Sequence, residues 1–105
     1  MSATISNSYE HTAQAIEDLS IRWGKAVRIL CAVNTPQWKR TRQAIWCFQG
    51  LPLDHLPCRL YRRVDLCFGR INQVLAGYII RTEDDYRRVS AEDLNKMAKL
   101  IYDLV

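Results

Sequence analysis

PCRLYRRVDLCFGRINQVLAGYII, residues 57–80, decides the fold. Its apolar positions Leu60, Val64, Cys67, Ile71, Val74 and Tyr78 step by four, three, four, three and four. Tyr61, Phe68 and Leu75 run beside them at seven-residue intervals. At 100° per residue these side chains occupy one arc of about 140°, the stripe of a helix docked into a core. Pro57 suits the first helical position, where its missing N–H has no partner to lose. Gly69, Ala76 and Gly77 leave low spots where another helix could approach closely. The stripe is wide enough to touch two neighbours, so the stretch predicts the central helix of a bundle, running to about residue 81.

Punctuation elsewhere predicts three more helices. Ser8 is a candidate N-cap for a first helix over about 8–33. Its inward face would hold Tyr9, Ala13, Ile16, Leu19, Trp23, Ala26, Val27, Leu30 and Val33. Gly24 inside that helix costs about 1 kcal/mol relative to Ala, so it marks a close contact or a bend. Thr35-Pro36 predicts a cap and first position for a second helix over about 36–48, with Trp38, Ile45 and Phe48 buried and Gly50 after its end. Leu51–Leu56 is expected to fold back and tuck its three leucines against the core. Thr82–Asp85 can cap a short turn through Arg88. Ser90-Ala-Glu-Asp93 has capping-box spacing and opens a last helix, about 90–105, with Leu94, Met97, Ala98, Ile101, Leu104 and Val105 on its face. The fold class is therefore all-α: residues 1–105 form one compact four-helix bundle or a related orthogonal helical fold.

The chain has 105 residues, enough for one core, and 49% of them are hydrophobic, which excludes a disordered chain. The start, MSATISNSYEH, has neither a basic n-region nor an apolar run, so no secretion signal is expected. No apolar run approaches the roughly 20 residues of a membrane span. These features predict a cytoplasmic protein with reduced thiols. The formal charge of +4 is unevenly spread: residues 1–21 carry −3, residues 22–81 carry +9 and residues 82–105 carry −2. The acidic ends either neutralise the basic middle or leave a basic face bare, and the sequence leaves both open.

Cys47, His55, Cys58 and Cys67 have the ligand types that zinc prefers. Cys67 belongs to the apolar stripe, however, and no Cys-x2-Cys knuckle is present, so no metal is expected. Asp54-His55 with Cys58 suggests a nucleophile and base, but catalytic partners are usually distant in sequence. No phosphate loop, nucleophile elbow or His-Glu-x-x-His is present. The expectation is a protein without catalytic residues or cofactors.

What remains is a surface. Arg59, Arg63 and Arg70 fall within about 40° of one another on the wheel of the 57–81 helix, opposite or beside the stripe. Leu66 points to the same polar side near Arg62, and Trp46 falls off the inward face of the second helix. An apolar residue ringed by arginines, with a tryptophan at the edge, either has the composition of a protein-binding surface or is covered by the fourth helix, and the sequence leaves both open. The candidate partner-binding residues are therefore Trp46, Arg59, Arg62, Arg63, Leu66 and Arg70. The same cations suit the alternative, a nucleic-acid-binding module using segment 22–81.

In size and organisation the chain resembles the small inhibitors and adaptors encoded by phages and mobile elements. Anti-CRISPR proteins are one such group; the likeness rests on no shared motif. The resemblance implies a cofactor-free module that binds a larger cytoplasmic complex, a protein or ribonucleoprotein, and blocks or bridges it. The basic middle departs from the acidic, nucleic-acid-mimicking strategy, which implies direct contact with protein or with bound RNA.

Overall fold

The computed structural model describes the backbone of residues 2–104 and the side chains of residues 10–104. Four helices follow one another: α1 (Ser2–Leu30), α2 (Gln37–Trp46), α3 (Cys58–Leu75) and α4 (Ala91–Tyr102). Two 3-10 turns, Leu53–His55 and Glu83–Arg88, lie between them. No strand occurs among the described residues, and the protein is an all-α bundle. None of its described helices is long and apolar enough to cross a membrane.

The stripe of α3 faces the core as its periodicity requires, except that Tyr61 at its edge is exposed. Val64, Cys67 and Ile71 are buried, and Leu60, Phe68, Val74 and Leu75 pack partly buried around them. Yet α3 is not the central helix. It packs chiefly against α4, whereas α4 packs against α1, α2 and α3. Short and last in the chain, α4 puts Leu94, Met97, Ile101 and Leu104 into the core, with Met97 and Ile101 fully buried. A helix touching three neighbours needs apolar groups around more of its circumference than a helix flanked on one side. The Nε1–H of Trp23 on α1 donates to the Ile101 carbonyl at 2.8 Å, tying α1 to α4.

Several boundaries and faces differ from the sequence expectation. Helix α1 begins at Ser2, so Ser8 lies inside it rather than capping it, and it ends at Leu30. Val33 is consequently exposed. Ala13 and Ile16 are also exposed while Ala15 is buried, so the inward stripe is rotated by about 45° from the expected one. Small Ala15 and Ala26 allow that approach, which apolar periodicity alone does not weigh. Tyr9 and Val105 lie outside the described side chains. A Cβ added at Gly24 or Gly69 would meet nothing, so neither glycine marks a close helix contact.

Pro36 and Pro57 occupy the N-cap positions of α2 and α3 rather than the first helical ones, each with extended backbone. Thr35 is thereby displaced from its expected capping role. In α2 the most buried residues are Thr41 and Ala44, with Trp38 and Ile45 only partly covered. Thr41 is tolerated there because its hydroxyl donates to the Gln37 carbonyl at 2.9 Å. After α2 the chain turns through Gly50, whose φ of +74° is a conformation glycine adopts without steric cost. The loop then delivers Leu56 to the core, with Leu51 and Leu53 packed against it, as expected.

Helix α3 stops at Leu75 rather than near residue 81. Gly77 weakens the helix there, and Tyr78 is drawn across to α4. Its hydroxyl donates to Asp93 Oδ2 at 2.6 Å and accepts from the Ser90 N–H at 3.1 Å. Ser90 Oγ in turn accepts from the Asp93 N–H at 3.1 Å. A capping box ordinarily joins these two residues directly; here the Tyr78 hydroxyl is inserted between the carboxylate and the N-cap amide. The preceding turn has the direct form, with Asp85 Oδ2 accepting from the N–H groups of Arg81 and Thr82 at 2.7 and 2.9 Å.

These bonds hold both carboxyls below the usual aspartate value of 3.8, Asp93 chiefly through Tyr78 and Asp85 chiefly through the Thr82 amide. A carboxyl depressed in the fold contributes stability above its unfolded pKa and loses it as pH falls through the folded value. Tyr78→Phe is therefore expected to lower the melting temperature at neutral pH. The gap from the native chain should shrink as pH drops below about 3.8. Melting curves at several pH values check this; a gap that stays constant to pH 2 would show that the Tyr78 hydroxyl does not stabilise the Asp93 carboxylate.

Candidate functional site

The basic middle divides into two parts in space. On α1 and α2 three of the cations, Arg22, Arg40 and Arg42, serve the fold. Arg40 donates to the carbonyls of Ala32 at 2.7 Å and Leu30 at 3.3 Å, satisfying groups that the end of α1 leaves without helical partners. Arg42 pairs with Glu83 at 2.6 Å across the α2–turn contact. Arg22 pairs with Asp18 at 3.0 Å and donates to the carbonyls of Cys47 and Gln49. In the last third of the chain, the Arg87 guanidinium sits 4.9 Å from the Trp38 ring centroid. Here the acidic ends do lie against the middle.

On α3 they do not. Arg59, Arg62, Arg63 and Arg70 are all exposed, and none has an ion-pair partner among the described residues. Burial of Val64, Cys67 and Ile71 leaves these positions outward, on the flank and back of the same helix. Leu66 is among them and is 55% exposed. By helical geometry Arg59, Arg63, Leu66 and Arg70 span about 60° of arc, and Arg59 to Arg70 covers about 16 Å of axis. Arg63, Leu66 and Arg70 border a shallow groove of about 180 Å³ completed by Leu100, Asp103 and Leu104 at the end of α4. Five of the six residues picked from sequence therefore share one face.

Trp46 does not join them. It is 62% exposed and lies on the other flank of the α3 stripe, the flank of Asp65 and Phe68. There it rims an open groove of about 420 Å³ whose walls are Ile45, Phe48, Leu51, Leu53, Val64 and Phe68. Its floor is part of the core: Phe48 and Val64 are buried, and the Phe48 and Phe68 rings meet edge-on at 5.1 Å. Beyond Trp46 a second, polar groove is lined by Arg22, Lys25 and Arg42, and Trp46 and Gln49 belong to both. Sequence reasoning passed over this pair of grooves. The signal available was weak: three leucines in one loop and an aromatic side row on the α3 stripe.

The thiols are free. Cys31 and Cys58 are exposed, Cys47 is half-buried and Cys67 is buried. Burial pushes the Cys67 thiol up to about 11, and its Sγ–H donates to the Leu100 carbonyl at 3.4 Å. Burial also raises Cys47, against the opposing pull of Lys25 and Arg22. No three His, Cys, Asp or Glu side chains among the described residues converge as a metal site would require. His11 and His55, 44 positions apart, bring their rings to 5.0 Å between α1 and the first 3-10 turn, a pairing with no sequence signal. No family model, curated protein or solved structure matches the chain.

Proposed function

We propose that this chain is a non-enzymatic protein-binding module, an inhibitor or adaptor of a larger cytoplasmic complex, that docks through the α3 face of Arg59, Arg62, Arg63, Leu66 and Arg70. One observation carries the reading: an exposed leucine stands among four exposed arginines that have no ion-pair partner among the described residues. Arginine is enriched among residues that dominate binding energy, and an apolar centre inside a charged ring excludes water from the pairs around it. Burying a leucine side chain fully contributes about 1.5–3 kcal/mol, so Leu66 is a worthwhile anchor. An acidic surface with an apolar centre is the matching partner. Action of the anti-CRISPR type, on a protein or ribonucleoprotein effector, is compatible with this chemistry; size and helical organisation support it.

The test pairs a fold measurement with a binding one. Arg63→Ala and Leu66→Ala should each change stability by no more than about 0.5 kcal/mol, as substitutions on a solvated face do. Each should weaken binding to a partner pulled down from the source cell at least tenfold, about 1.4 kcal/mol. Unchanged affinity in both variants moves the site off this face. A second reading, nucleic-acid binding, draws on the same four guanidiniums along about 16 Å of helix. It is distinguished by a titration with oligonucleotide at two salt concentrations, since phosphate contacts make affinity fall steeply with salt.

A further inference from the structure

We infer that the two grooves meeting at Trp46 form a second binding surface, separate from the α3 arginine face, for a peptide segment with an apolar anchor flanked by an acidic residue on one side and a basic residue on the other. The anchor seats among Ile45, Phe48, Leu53 and Phe68, in an open groove whose volume of about 420 Å³ is within the range of built ligand sites. Trp46 stands at the rim, more than half exposed, on walls that are themselves held by buried Phe48 and Val64. A bound apolar group therefore covers the tryptophan without any need to rebuild the core.

Charge decides the occupant. On the α1–α2 side of Trp46 the polar groove presents Arg22, Lys25 and Arg42. Arg22 and Arg42 are paired with Asp18 and Glu83, but Lys25 is exposed and has no ion-pair partner among the described residues. On the α3 side the single charge in the apolar groove is Asp65, also exposed and also without a partner among them. The surface is thus polarised, cationic at one end and anionic at the other, with the apolar seat at the Asp65 end. A peptide carrying acid, anchor and base in that spatial order satisfies both ends. A nucleic acid does not, because Asp65 would repel a backbone phosphate crossing the apolar seat. A second copy of the chain, related by a two-fold axis through Trp46, would bring like-charged ends together if the grooves ran parallel, and would set each apolar seat against the other copy's cationic groove if they ran antiparallel. A foreign peptide carries neither restriction.

The experiment is selection of a displayed random peptide library, each member about twelve residues or three helical turns, against the full chain. Recovered peptides are then titrated by fluorescence anisotropy. The expected peptides carry a bulky apolar residue between an acid and a base. Trp46→Ala should weaken them at least tenfold, and Arg63→Ala should leave them unchanged, which separates this site from the arginine face. Lys25→Glu and Asp65→Lys should each weaken them about tenfold. In the Lys25→Glu/Asp65→Lys double variant a peptide with its two charges exchanged should regain affinity. Lys25 and Asp65 are both exposed, so this arm stands even if Trp46→Ala disturbs the fold. Failure to enrich any peptide, enrichment without the charge order, or indifference to the Lys25 and Asp65 exchange overturns the proposal. So does a Trp46-dependent dimer in sedimentation, which assigns the face to a second copy, or displacement of the peptides by an oligonucleotide.

Discussion

Met97→Asp is expected to leave the chain unfolded at room temperature rather than merely weakened. Met97 has no exposed surface and lies on α4, the helix that α1, α2 and α3 all contact. An unpaired charge in such a site costs several kcal/mol, a large part of the roughly 5–15 kcal/mol that stabilises a domain of this size. Because three interfaces share α4, its loss removes support from every other helix at once. Met97→Leu should cost less than about 1.5 kcal/mol, since volume and apolarity are kept. Circular dichroism with a thermal melt reads both. A cooperative melt near the native temperature in Met97→Asp would show that α4 is not the hub of the bundle.

Ile71→Ala should cost about 2–5 kcal/mol, the range for truncating a fully buried isoleucine when the cavity cannot collapse. Ile71 is 1% exposed and sits five positions from Leu66, which is 55% exposed on the same helix. Leu66→Ala, for comparison, should change stability by no more than about 0.5 kcal/mol. Two aliphatic truncations on one helix thus differ several-fold in effect purely by the side they face. Chemical denaturation of both variants, with the slope checked against that of the native chain, measures the difference. Equal costs would mean that the α3 stripe is rotated from where the structure has it, and Leu66 would then be a core residue unavailable to a partner.

The candidate site was legible in proportion to how local its signal was. Four arginines and Leu66 fall on one side of α3 because helical periodicity alone puts them off the buried stripe of Val64 and Ile71. Trp46 could be read as outward-facing for the same reason. Which neighbours it would have could not be read, because that depends on how α2 lies against α1 and α3. The sequence placed it beside the arginines; the structure places it on the opposite flank, over a groove built from a loop and two helices. Lys25 and Asp65 were ordinary surface residues in the sequence. Their significance arises only because they lie at two ends of that surface.

The fold divides in the same way. Sequence by itself determined that the chain is all-α, where α3 turns its stripe, that Leu51–Leu56 folds inward, and that Thr82 and Ser90 begin helical segments. Each of these rests on interactions within a few residues: side-chain spacing, a cap, or a proline lacking an N–H. Tertiary structure decided which helix is the hub, how far the α1 stripe is rotated, where α3 ends, and which cations stay unpaired. Those outcomes depend on pairs remote in sequence, such as Trp23 with Ile101, Arg42 with Glu83, and Tyr78 with Asp93. Periodicity states which side of a helix must be covered. Only the packing of the other helices states what covers it, and therefore what is left bare for a partner.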